Sequence, residues 1–172
     1  MKILPQDIAQ LPDFDRNLMM AIDQVCSVTE WDYGEVWIPE ENDRILNLSP
    51  LWCVNTHNQS NILELEQFWE CSKESILSPG EGLPGRVWVS KEVEWIADVS
   101  AKSETYFLRN KIAAAFGVKA GLGVPIIVKE QVESILVFFM LNAREKDDKL
   151  IEQTLTIIAN LVNQDEASDD RI

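Results

Sequence analysis

After Pro12-Asp13, the apolar residues Phe14, Leu18, Ile22 and Val25 recur every three to four positions, and Thr29 continues the spacing. That period predicts an amphipathic helix of about four turns with Leu18, Ile22 and Val25 on one stripe. Asp13 stands where its carboxylate can accept a hydrogen bond from a first-turn N–H. Tyr33 to Ile38 alternates and stops at Pro39, which predicts a strand. Glu40-Glu41-Asn42-Asp43 then turns the chain into a second strand, Ile45 through Val54, closing a hairpin. The segment Ile62 to Cys71 returns to a helical period in good helix formers.

A glycine-rich stretch follows from Leu77 to Trp88. Gly80 and Gly82 suit a tight turn that needs positive φ, and Pro84 suits the first turn of a short helix. Val93 to Ile96 reads as a short strand, and Phe107 to Phe116 as a helix closed by Gly117. Lys119 to Val128 and Ser134 to Leu141 read as paired strands around Lys129-Glu130-Gln131. Asp147 caps a last helix striped by Ile151, Leu155, Ile158 and Val162. Hairpins at both ends of the strand list imply an α+β fold with an antiparallel sheet. The first and last helices can pack on each other over one face, leaving apolar surface for a second copy of the chain. This divides the sequence into an extension at 1–12, a domain at 13–164 and an acidic, frayed tail at 165–172.

Length and charge narrow the function. The 172 residues suit one domain. Fifteen Lys and Arg against 29 Asp and Glu give a net charge of −14, a field that repels phosphate backbones and anionic headgroups. Neither nucleic acid nor membrane is therefore expected as a partner. The longest apolar run, Ser134 to Leu141, is far short of the roughly 20 residues of a membrane span. Met1 to Asp7 has no signal-peptide core, so a cytoplasmic location is expected. Cys26, Cys53 and Cys71 have no C-x-x-C spacing and read as free thiols of a reducing compartment. His57, the single histidine, lies in the polar stretch Val54 to Asn61 and reads as a solvated loop residue. No metal site and no catalytic residues are expected, although a thiol enzyme using Cys71 or Cys53 is a third reading.

The turn Leu77-x-x-Gly80-x-Gly82 lacks the lysine and hydroxyl residue that complete a phosphate loop. Arg86 could meet an anionic ligand or tie Glu81 or Asp98 in an ion pair, and the sequence leaves both open. Six tryptophans, at 31, 37, 52, 69, 88 and 95, are individually core material that can also wall a pocket.

Taken together, Pro79-Gly80-Glu81-Gly82-Leu83-Pro84-Gly85-Arg86-Val87-Trp88, Glu94 to Val99, Phe107-x-Arg109, Lys119 to Ile126 and Ile135 to Phe139 resemble a GAF domain. Trp31 to Trp37 is similar to the first strand of such modules in bacterial, especially cyanobacterial, sensor histidine kinases. The resemblance implies a central antiparallel sheet of five to six strands, terminal helices on one face, and short helices and loops closing a pocket on the other. It implies a sensory or regulatory module that binds a small molecule and signals as a homodimer through its terminal helices, with a histidine kinase or other signalling partner. A filled, ligand-free dimerisation module is the alternative. The segments that form the pocket in the family match Trp88, Trp95, Asp98, Phe107, Arg109, Lys119 and Gly121, with Asp98 and Arg109 as polar anchors and the indoles as walls. Ser100 to Tyr106 lacks the cysteine that holds a bilin, Leu83-Pro84-Gly85 lacks the cysteines of methionine sulfoxide reductases, and Val137 replaces an acidic residue common in kinase-linked members. The chain carries no phospho-accepting histidine motif or ATP-binding segment, so it is not expected to be a kinase itself.

Overall fold

The computed structural model describes residues 8–40, 42–55, 57 and 61–162. The frayed end expected at 165–172, and most of the extension expected at 1–12, lie outside the described residues. The elements run α1 (Asp13–Val28), β1 (Tyr33–Glu40), β2 (Ile45–Val54), α2 (Ile62–Ser72), β3 (Ile76–Leu77), α3 (Gly82–Ser90) and β4 (Glu94–Ile96). A 3-10 turn (Val99–Ala101), α4 (Asn110–Phe116), β5 (Gly121–Val128), β6 (Gln131–Phe139) and α5 (Asp148–Val162) complete them. The six strands make one antiparallel sheet in the order β3-β2-β1-β6-β5-β4. This is the α+β architecture that the hairpin pattern implies.

Alternation along the strands sorts the core into two halves. On the outer face Val36, Cys53, Leu122, Val124, Leu136 and Phe138 pack against α1 and α5. Leu18, Ile22 and Val25, the stripe expected on α1, are all fully buried there. Each contributes about 1.5–3 kcal/mol of burial, which holds the helix to the sheet. On the inner face Tyr33, Trp37, Trp52, Ile135, Val137 and Phe139 meet α2, α3 and α4 through Phe68, Leu83, Val87 and Ala113, and Phe107 joins them just ahead of α4.

Local chemistry explains most boundaries. Asp147 caps α5, its Oδ1 accepting from the Leu150 N–H at 3.0 Å. Gly117 closes α4 in the left-handed region at φ 76°. Pro12, not Asp13, is the cap of α1; Asp13 is its first residue and pairs with Arg16 at 3.3 Å. The β5–β6 turn is only Lys129-Glu130, both at positive φ (50° and 67°), so β6 starts earlier than Ser134. β3 is two residues long and pairs with Leu46 and Asn47, too short for any alternation to reveal. Gly80 and Gly82 take φ of 81° and 65° at the entry to α3, as the turn requires.

Candidate functional site

The inner face is built around a charge. Arg109, one residue ahead of α4, is 3% exposed, and Glu35, in the middle of β1, is 0% exposed. Arg109 Nη2 donates to Glu35 Oε1 at 2.5 Å and Nη1 to Oε2 at 3.1 Å. The Tyr33 hydroxyl donates to Oε2 and the Trp37 indole to Oε1, both at 2.8 Å. Arg109 Nη1 also donates to Ser72 Oγ on α2 at 3.2 Å. The carboxylate thus accepts on both oxygens from four donors, which offsets the cost of taking it out of water. Rings of Trp37, Phe68, Phe107 and Phe139 surround the guanidinium carbon, with centroids 5.1 to 5.5 Å away. That is the range in which aromatic faces attract a cation. Burial, then the adjacent Glu35 charge, pushes the Tyr33 phenol well above its ordinary value.

Beside this network Trp52 of β2 and Trp69 of α2 stack, with centroids 5.1 Å apart and planes 12° from parallel. Their exposures are 6% and 7%. The indole N–H of each is buried and finds no acceptor among the described residues. An indole can only donate, so each group carries a desolvation cost that a bound acceptor would remove.

Among the described residues, the seven residues expected at a pocket are spread over both faces of the sheet. Phe107 and Arg109 lie on the inner face, and Arg109 is already committed to Glu35. Gly121 borders the same face: a Cβ there would stand 2.8 Å from the Phe139 ring. Trp88 lines a recess of about 270 Å³ with Asp43, Pro79, Val89, Lys91, Gln131 and Val132. Trp95 packs on the opposite face, 5.3 Å from Trp31, and its indole donates to the Arg144 carbonyl at 2.9 Å. Strand parity is the reason, because Ile96 takes the inward position in β4. Asp98 turns on itself, accepting from Ser100 N and Oγ at 3.0 and 2.6 Å. Lys119 sits 3.8 Å from that carboxylate and donates to Ser100 Oγ at 3.0 Å. Arg86 pairs with neither Glu81 nor Asp98; it grips Glu94 with Nε and Nη2 and donates to the Tyr106 carbonyl.

Glu35, Ser72, Tyr33, Trp52 and Trp69 were not among the expected site residues. For Glu35 a signal existed: alternation in β1 puts it between Tyr33 and Trp37 on one face. Glu35 also pairs across the sheet with Val137, which sets an acidic side chain beside an apolar one at that level of the sheet.

Comparison with known proteins decides the family. The family described as "NLP protein GAF domain" matches residues 15–169. The chain belongs to the GAF domains of NLP proteins. Among curated relatives this GAF domain is 29% identical to Protein NLP2 of Oryza sativa subsp. japonica over 123 residues, which is 67% of this chain and 12% of that protein. It therefore spans about an eighth of the length of the curated relative. Among solved structures it is similar to the GAF domain of a phosphoenolpyruvate-protein phosphotransferase from Coxiella burnetii, with TM-score 0.64 and 19% identity over 95% of this chain and 89% of that one. It is also similar to a structure of NreA from Staphylococcus aureus, mutated in its nitrate binding site, with TM-score 0.56 and 22% identity over 77% and 91% of the two chains. These structural likenesses carry the fold.

Proposed function

We propose that this GAF domain is a non-catalytic sensory or regulatory module, acting in the cytoplasm, that seats a small hydrogen-bond acceptor on its inner face. The observation that carries the reading is the Trp52–Trp69 stack with two buried, unused indole donors. Phe107 and Gly121 shape the same face, and Arg109 holds α2 and α4 to β1 through Ser72 and Glu35. A planar oxyanion such as nitrate, for which NreA has a named site, offers acceptors of the right kind. The ligand would order α2 against β2. That bias would reach α1, which packs on the other side of the same strands, and α5 beside it. α1 and α5 would then pair with a second copy and pass the change to a signalling partner such as a histidine kinase.

A second reading, a ligand-free dimerisation module, is favoured by the Arg109–Glu35 pair and its four rings, which fill the centre of the inner face. A thiol enzyme draws nothing from Cys53, whose sulfur is buried against α1 on the outer face.

A thermal-shift screen with nitrate, other small oxyanions, cyclic nucleotides and haem separates these readings. An upward shift in the native chain that disappears in Trp52→Phe and Trp69→Phe supports the ligand site. A flat response across the panel favours the ligand-free module.

A further inference from the structure

Cys26 and Cys53 take no part in the inner site, yet they face each other across the α1–sheet interface. Their sulfurs are 3.2 Å apart, and the Cys53 thiol also lies 3.3 Å from the Ile22 carbonyl oxygen of α1. The two residues are 2% and 7% exposed. The approach has a local cause. Gly34, the cross-strand partner of Cys53, leaves room: a Cβ there would stand 3.3 Å from Cys53 Sγ and 3.3 Å from Ile22 Cβ. A larger residue would push α1 away from β2 and separate the two sulfurs.

We propose that Cys26 and Cys53 are an oxidative modification site, closing to an intramolecular disulfide when a peroxide oxidises the chain. An S–S bond is about 2.05 Å, so closure needs roughly 1 Å of approach between side chains already in contact. In the first step one thiolate attacks a peroxide oxygen. The O–O bond breaks, the sulfur becomes a sulfenic acid, and hydroxide leaves to be protonated as water. In the second step the neighbouring thiol attacks the sulfenic sulfur, the S–S bond forms, and the sulfenic oxygen departs with the thiol proton as water. Two thiols and one hydrogen peroxide thus give one disulfide and two waters.

Packing sets when this happens. Burial, then the hydrogen bond with Cys53, pushes the Cys26 thiol well above its ordinary value, and Asp23 and Asp32 add to the effect. The closed interface therefore holds a Cys26 thiol that reacts slowly. Peroxide gains access when α1 lifts from β2, and the disulfide then ties the helix down. The modification would trap α1 against the sheet and remove its freedom to move in signalling. Cys71 is exposed on α2 and serves as an internal reference for oxidant dose.

The test uses the full chain carrying Cys71→Ser, treated with hydrogen peroxide, then denatured, alkylated and mapped by mass spectrometry. The expected result is a loss of about 2 Da, a linked peptide pair containing Cys26 and Cys53, and a melting temperature raised by roughly 5–10 °C. Dithiothreitol should reverse all three, and Cys26→Ser in the same background should abolish the linked pair. The proposal is overturned if both residues remain alkylatable, or oxidise separately, at peroxide doses and times far beyond those that fully consume Cys71 in the native chain.

Discussion

Arg109 and Glu35 are 74 positions apart in the chain and meet through two hydrogen bonds in an interior that excludes water. Arg109 lies beside the helix α4 and Glu35 in the central strand β1, so the pair fastens the inner layer to the middle of the sheet.

Arg109→Met should leave the Glu35 carboxylate buried without its cation and cost about 3–5 kcal/mol. Arg109→Met with Glu35→Gln should recover a large part of that loss, because the uncompensated charge is gone. Urea unfolding of the three chains measures both quantities. Equal losses in the single and double variants would mean that packing, not charge, holds this layer.

Tyr33 gives a pH dependence of defined sign. Its phenol titrates well above its ordinary value of 10.0 in the folded chain, so the native state holds the proton more tightly than the unfolded state. This contribution is fully present below the ordinary phenol value and is lost as pH rises from there through the raised folded value. Urea midpoints of the native chain should fall between pH 9 and pH 11 more steeply than those of Tyr33→Phe, with about 1.4 kcal/mol at stake per pH step in the titrating range. Parallel slopes in the two chains would contradict the assignment.

Gly85 is packed against backbone. A Cβ at this position would lie 2.7 Å from the Ser78 carbonyl oxygen, and the Gly85 carbonyl accepts from Gly80 N–H at 2.9 Å. Gly85→Ala should therefore force α3 away from its entry turn and destabilise the chain by about 1–3 kcal/mol. Thermal unfolding would show it as a lowered midpoint.

The outer helices carry the dimer proposal. Val28 of α1 and Ile157 of α5 border one surface groove, and Met20 and Val28 are about half exposed. Sedimentation over a wide concentration range should show a reversible dimer, weakened about tenfold or more by Ile157→Glu. A monomer at every concentration would remove dimerisation from the account.

Local rules exposed the frame and stopped at the site. Leu18, Ile22 and Val25 announced α1 by spacing alone, and Asp147 announced α5, because caps and stripes are local chemistry. Parity within β1 was equally readable, yet the partner of Glu35 was not, since no pattern within one strand points 74 residues ahead. Trp95 looked like a pocket wall, and only strand pairing fixed it outward with Ile96 inward. Arg86 chose Glu94 over Glu81 and Asp98 because β4 passes beside α3, a tertiary fact. Trp52 and Trp69 were visible as residues, while their stack depends on how α2 lies across β2.

The most direct test of the ligand site is two-dimensional proton–nitrogen NMR of the indole N–H groups during a nitrate titration. Trp31, Trp37 and Trp95 already donate to Thr154, Glu35 and Arg144, whereas the Trp52 and Trp69 indoles have no acceptor among the described residues. The account predicts saturable shifts concentrated in the Trp52 and Trp69 signals, moving toward the position of hydrogen-bonded indoles. Signals of all the indoles that stay fixed, or drift together without saturation, would contradict a nitrate site on these two donors.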